Sequence, residues 1–270
     1  VGLAAYLKGG VMQQQGIDKA VEILNEFQDF LRSFQITQVI TFTTAALRNA
    51  KNSAAAVGEI EQRTGLTIRV ITGDEEAIFD FIGATRNLQE ESGLLVDIGG
   101  GSTEIVNYQQ RRIQHKISLR IGSLAFRTKY VQGILPTAGE CLVMREQAEA
   151  AIQSATAFNA VSELSMAGIG GTFKGAAALY NAMFNQPASN NRMEARRLKT
   201  IIATFQQDHG LTQDMSVMLM RTVADRINTI IPGLIIADVL ARRFQSKIIT
   251  YSDSGVREGY IYDQIIGNKK

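Results

Sequence analysis

The stretch Leu94–Val106, LLVDIGGGSTEIV, constrains this chain more than any other. Leu94, Leu95 and Val96 form a short apolar run that suits a buried strand. Asp97 closes the run. Gly99, Gly100 and Gly101 follow, then Ser102, Thr103 and Glu104. From Ile105 to Gln110 the residues read as a second strand rather than a helix. The pattern predicts strand, tight glycine turn, strand. Without Cβ atoms, the turn can bring backbone N–H groups close to an anion. Gly100 is expected to hold a positive φ and to leave room that a β-branched residue would fill. Asp97 and Glu104 bracket the turn with carboxylates. Phosphate on the amides and a hard cation on the carboxylates is the reading that follows. The competing reading is a glycine hairpin with no ligand.

Two other phosphate motifs fail. A P-loop needs Gly-Lys-Ser/Thr opening a helix, and the turn has no lysine. A dinucleotide fingerprint needs a following helix, and here Glu104 and a strand follow.

A length of 270 residues allows one large domain or two modest ones. No apolar run approaches a membrane span, and the N-terminus does not read as a signal peptide. One cysteine, Cys141, cannot form an internal disulfide; it reads as a packing residue in a reducing, cytoplasmic compartment. His115 and His209 lack carboxylate or cysteine company, which argues against a histidine metal site or triad. A net charge of +2 makes no case for nucleic acid, and no DNA or membrane partner is expected.

Val1–Gly10 reads as a strand tail or loop. Ile17, Val21, Leu24, Phe27, Leu31 and Phe34 recur at helical spacing and predict a core-facing helix. A strand at Gln38–Thr43, a helix from Thr44 through Arg48 to Gly65, and a strand at Thr67–Ile71 form a βαβ unit, with parallel pairing expected. Asp74, Glu75 and Glu76 open a helix, as acidic residues ordinarily do. Adjacent glutamates diverge on a helix, so at most one faces a site, and the residues alone do not choose which. A second glycine turn, Gly168–Thr172, opens a helix with Thr172 as a cap. Arg192, Arg196, Arg197 and Lys199 read as a solvated helical face, with a polyanion track as the sharper alternative. Helices are expected at Met215–Asn228 and Pro232–Phe244, with Met215, Met218 and Met220 as core filler. Lys247–Tyr251 is a strand, and Asp253-Ser254-Gly255 leads into a closing helix.

Five segments in order carry a resemblance: TTAALRNAKN (Thr43–Asn52), GDEEA (Gly73–Ala77), DIGGGSTE (Asp97–Glu104), AGIGGT (Ala167–Thr172) and SDSGVREG (Ser252–Gly259). Together they resemble the exopolyphosphatase and guanosine pentaphosphate phosphohydrolase family of the actin, sugar-kinase and heat-shock-ATPase fold group. The resemblance implies an α/β fold: two ribonuclease H-like (actin-like ATPase) domains with a cleft between them. It places them at about 1–80 and 81–270, with the C-terminal helix packing back on the first. The family's N-terminal strand and first phosphate loop, Asp-x-Gly-Ser-Asn, have no counterpart here, so the first domain is expected to be truncated.

The resemblance further implies hydrolysis of a terminal phosphoanhydride in polyphosphate or guanosine pentaphosphate. Gly99, Gly100, Gly101, Ser102 and Thr103 would hold the phosphate with Arg48, and Asp97 and Glu104 would hold Mg²⁺, or Mn²⁺. Glu76 matches the family's catalytic glutamate, which orients and deprotonates water, beside Arg48. A homodimer is implied. Two alternatives stay open: a kinase or ATPase holding adenosine at Gly168–Thr172, and a non-catalytic phosphate or nucleotide sensor.

Overall fold

The computed structural model describes residues 2–86, 88–207 and 210–267; His209 lies outside them. The chain forms two compact units, Val1–Gly73 and Asp74–Lys270.

In the first unit a 3-10 turn (Leu3–Tyr6) leads to a short hairpin, β1 (Leu7–Lys8) and β2 (Val11–Met12). Then come α1 (Gln14–Ser33), β3 (Thr41–Thr43), α2 (Ala45–Arg48), α3 (Ser53–Thr64) and β4 (Ile68–Val70). β3 and β4 pair in parallel, Thr41 opposite Ile68, as a βαβ unit requires. The single helix expected between them is two helices. The Asn52 side chain brackets Met12, accepting from its N–H (2.8 Å) and donating to its carbonyl (3.0 Å), and the Lys51 N–H is held by Gly10. These tertiary bonds outcompete one helical turn. Gly65, with φ +70°, ends α3 in the left-handed conformation usual there. Only the first half of α1 meets the core, through Ile17, Ala20 and Val21. Phe27, Phe30 and Phe34 are exposed, against the expectation that the whole stripe is buried; the last two rings pack on each other at 4.8 Å.

The second unit opens with α4 (Gly73–Thr85) and the strands β5 (Gly93–Ile98), β6 (Thr103–Gln109) and β7 (Arg112–Leu119). It continues through α5 (Ser123–Tyr130), α6 (Ala138–Gln153), β8 (Ser165–Ile169), α7 (Gly170–Met183), β9 (Arg192–Glu194) and α8 (Leu198–Thr204). It closes with α9 (Gln213–Thr222), α10 (Ile227–Arg243), β10 (Ile248–Tyr251) and α11 (Val256–Tyr260), which runs into a π-helical turn (Ile261–Ile266). Six strands form one sheet in the order β7-β6-β5-β8-β10-β9. β5, β8 and β10 run parallel; β6, β7 and β9 are antiparallel to their neighbours.

Strand alternation divides the core. Leu94, Val96 and Ile98 pack with α5, α6, α7 and α10 on one face, whereas Leu95, Val106 and Ile169 pack with Ala77, Phe81 and Ala84 of α4 on the other. The period of two puts Asp97 and Glu104 on the α4 face, beyond Leu95 and Val106. α11 crosses α4 closely: a Cβ on Gly83 or on Gly259 would enter the backbone of Gly255 or of Phe79.

Several expectations are corrected. Arg192 lies on β9, Arg196 and Arg197 on a 3-10 turn, and Lys199 on α8, so they form no single helical face. Glu194 pairs with both Arg196 and Arg197. Pro232 lies inside α10, because Ile230, Ile231 and Leu234–Leu240 bury enough apolar surface to override the lost hydrogen bond. Met220 is 62% exposed and is no core filler. Among the described residues, no helix is long and apolar enough to cross a membrane.

Candidate phosphate and metal site

The glycine turn joins β5 to β6, with Ile98 opposite Thr103 and Asp97 opposite Glu104. The Gly99 N–H donates to the Ser102 carbonyl at 2.9 Å and closes the turn. None of Gly99, Gly100 and Gly101 has a left-handed φ, so positive φ is not why the turn needs glycine. The neighbouring backbone supplies the reason. The Gly99 carbonyl accepts from the Ser123 N–H (2.9 Å) and the Ser123 hydroxyl (3.1 Å). The Gly100 carbonyl accepts from Leu124 (3.1 Å) and Ala125 (2.8 Å). The turn's carbonyls therefore satisfy the orphan N–H groups of α5. In a trans peptide the N–H points opposite to the preceding C=O. The amides of Gly100 and Gly101 thus face away from α5, and among the described residues neither has a backbone hydrogen-bond acceptor. Two outward donors on a rigid turn form an anion nest.

Buried threonines brace the turn. Thr103 donates its hydroxyl to Ile121 and Thr172 donates to Ile98, both at 2.8 Å. One expectation changes: Thr172 lies inside α7 and is no helix cap, while the inward Thr103 hydroxyl leaves the backbone of that residue for a phosphate. Ser102 is buried at the turn's end.

Below the nest lie four carboxylates: Asp97 on β5, Glu104 on β6, and Glu76 and Asp80 on α4. Glu76 is 6% exposed and Asp80 1%, while Glu75 is only partly buried, so the helix turns Glu76 inward. Glu104 accepts from the Ser118 hydroxyl at 2.6 Å. Both Asp80 oxygens are buried, and among the described residues neither has a hydrogen-bond partner of good geometry. Burial holds the Asp80 carboxyl well above the usual range, reinforced by Asp97, Glu104 and Glu76; the Val256 amide opposes this weakly. Asp97 is likewise raised, by burial first, then by Glu104 and Glu76. Sequence reading passed over Asp80; the available signal was its spacing, i+4 from Glu76, which puts both on one helix face.

Like charges opposed across a hairpin are destabilising unless something offsets them. A cation fits that requirement, and the orphaned Asp80 oxygens fit it as well. Among the described residues, however, no three Asp, Glu, His or Cys side chains converge as a full ligand set. One or two carboxylates with water and phosphate oxygens completing the shell is the pattern of Mg²⁺.

The second glycine turn stands beside the first. Gly170 has φ +75°, and a Cβ there would lie 2.5 Å from the Asp97 Oδ1. The Arg226 guanidinium, paired with Asp225, packs over Gly171. Arg48 ends α2 in the first unit, where its guanidinium donates to the Ile71 carbonyl at 3.3 Å.

An anion nest over buried carboxylates, at the carboxyl ends of parallel strands, defines a phosphate-handling α/β protein. The sequence profile of the Ppx/GppA phosphatase family matches residues 3–266, and the chain belongs to that family. It is similar to exopolyphosphatase 1 of Mycobacterium tuberculosis, 25% identical over 258 residues, covering 93% of this chain and 74% of that protein. The guanosine-5′-triphosphate,3′-diphosphate pyrophosphatase of Pseudoalteromonas atlantica is 30% identical over 135 residues, 49% of this chain and 27% of that one. Among solved structures, a Cytophaga hutchinsonii exopolyphosphatase aligns with a TM-score of 0.81 at 20% identity, over 97% of this chain and 85% of its own. The Aquifex aeolicus family member aligns at 0.75 and 22%, over 99% and 87%. These likenesses show the fold, a mixed α/β architecture shared along nearly the whole chain.

Proposed function

We propose that this protein is a phosphohydrolase that releases the terminal phosphate of inorganic polyphosphate, of guanosine pentaphosphate, or of both. The observation that carries the proposal is the pair of outward amides at Gly100 and Gly101 above the carboxylates of Glu76, Asp80, Asp97 and Glu104. The amides of Gly100 and Gly101 receive the terminal phosphate; the Gly99 amide, expected to join them, is held by the Ser102 carbonyl. Asp97 and Glu104 would hold Mg²⁺ or Mn²⁺, which when bound supplies charge neutralisation on the phosphoryl oxygens. Glu76 accepts a proton from a water as the water attacks phosphorus in line. The phosphoanhydride P–O bond breaks, orthophosphate leaves, and the shortened chain departs with the bridging oxygen. Arg48 is the first unit's candidate for a bidentate phosphate contact. A homodimer in a reducing cytoplasm belongs to the same reading, the latter in keeping with a single cysteine, Cys141.

The test is Glu76→Gln. The variant should keep its melting temperature and phosphate affinity while hydrolysis slows by about 10²- to 10⁴-fold, the range for a general base. Full activity in Glu76→Gln with none in Glu75→Gln would move the role to the neighbouring residue. Equal activity in both would remove a glutamate base from the reaction.

A further inference from the structure

We propose that Asp80 is a further residue of the cation site: it accepts hydrogen bonds from water on the cation and lets the protein hold Mg²⁺ or Mn²⁺ before any phosphate arrives. Only the kinetic arm of its test rests on the phosphohydrolase reading. Asp80 lies one helical turn from Glu76 on α4 and faces the same way. At 1% exposure it is enclosed, and among the described residues neither oxygen has a hydrogen-bond partner of good geometry. The Val256 amide at the start of α11 offsets its burial only weakly. A buried carboxylate in this state is costly. Packing does not require the charge. A Cβ on Gly255 would lie 3.3 Å from both the Asp80 Oδ1 and the Ile169 Cδ1, so Asp80 shares its surroundings with an apolar side chain. An apolar residue would serve packing there without the desolvation penalty.

The charges around Asp80 assign its side of the site. Asp97 acts on it most strongly, then Glu104, and only then Glu76 of its own helix. Asp80 thus belongs with the two candidate metal ligands rather than with the candidate base. The Ser118 hydroxyl donates to Glu104 at 2.6 Å; among the described residues no side chain does the same for Asp80. What Asp80 lacks is a donor, and water on a bound cation is one. No three of the described side chains converge as a direct ligand set, so Asp80 acts one water out. Outer partners of metal ligands commonly work in this way. Mg²⁺ keeps several of its waters, which gives an additional carboxylate something to accept from. The consequence is an order of binding. Two carboxylates with water leave much of the cation's shell to the phosphates of a substrate. A third buried acceptor strengthens the site with no phosphate present.

The test is calorimetric titration of the full-length protein with Mn²⁺, free of phosphate and substrate. The parent should bind Mn²⁺, and Asp80→Asn should weaken that binding about 10- to 100-fold, the effect of removing an outer partner of a metal site. Asp80→Ala serves if Asp80→Asn fails to fold. Glu75→Gln removes the same charge from a partly solvated position, where screening is strong, and should change the affinity by less than about twofold. Melting in chelator reports on structure: Asp80→Asn should match or exceed the parent there, so that lost affinity is not lost folding. In turnover, the Mg²⁺ concentration giving half the maximal rate should rise by about the same 10- to 100-fold. Equal Mn²⁺ affinity in the parent and Asp80→Asn overturns the proposal, as does an equal loss in Glu75→Gln. So does a parent that binds Mn²⁺ only once inorganic phosphate is added. All three results leave the phosphohydrolase reading intact. If the parent hydrolyses neither polyphosphate nor guanosine pentaphosphate, yet Asp80→Asn loses Mn²⁺ affinity, that reading falls and the role of Asp80 stands.

Discussion

Single residues here carry chemistry that their types alone do not announce. Asp80 is a carboxylate sealed under α11 among three acidic neighbours, with the Val256 amide opposing its burial only weakly. Asp80→Asn removes like-charge repulsion and keeps the shape. In chelator at mildly alkaline pH it should stabilise the protein by about 1 kcal/mol, raising the melting temperature by about 2–4 °C for a protein of this size. A lower melting temperature would mean that the carboxylate is satisfied in solution. Tyr108 shows the same physics with a phenol. Burial, helped by Glu90 and Glu163 and opposed by Arg111, pushes its hydroxyl up to about 12. The fold therefore favours the neutral phenol. Its contribution is fully present below the ordinary tyrosine pKa near 10 and is lost as pH climbs from about 10 to about 12. Tyr108→Phe should match the parent in urea melts at neutral pH and lose about 2–3 kcal/mol less on going to the alkaline end. Parallel alkaline losses in the two proteins would assign the titration to another group.

At the scale of elements, the glycine turn and α5 form one device. The carbonyls of Gly99 and Gly100 cap the helix, and that capping aims the next two amides outward. Gly122 is the contact that keeps them in register. Its φ of −157° suits any residue, yet a Cβ there would lie 2.6 Å from the Gly100 backbone. Gly122→Ala should therefore push the turn off α5, with an overpacking cost of about 1–3 kcal/mol and a larger loss of function. The measurements are thermal unfolding and titration with inorganic phosphate; unchanged phosphate affinity in a folded variant would show that the nest is not the binding element. The sequence made the strand-turn-strand legible through Leu94–Val96, Asp97 and the three glycines. The partner helix was not legible as the donor to this turn, because nothing in Ser123–Ala125 marks where its N–H groups find oxygen.

Across the whole molecule, α4, β5 and β6 bring together carboxylates from residues 76 to 104, and α11 closes over them from residue 255 onward. Such a cluster costs stability without a counterion. Turnover should vanish after exhaustive chelation and return with Mg²⁺ or Mn²⁺. The same ions should raise the melting temperature in a concentration-dependent way, as linkage to a folded-state site demands. Full turnover in chelator, with no thermal shift on adding either ion, would remove metal from the proposed reaction.

By itself the sequence determined the class of the fold and offered candidates for a site. Apolar runs of strand length, helical periodicity and glycine turns flanked by carboxylates are local patterns, and local patterns survive in one dimension. Asp97 and Glu104 are candidates from the residues themselves, and Glu76 is added by the family resemblance. Only the tertiary structure decided which side chains face one another. It buried Asp80 among three acidic neighbours, turned the Thr103 hydroxyl to Ile121, broke the helix after Arg48 by tying Asn52 to Met12, and laid Arg226 on Gly171. Each of these joins residues held together by packing rather than by proximity along the chain. Orientation around a helix axis, and the choice of which carbonyl meets which N–H, are settled only when the layers close.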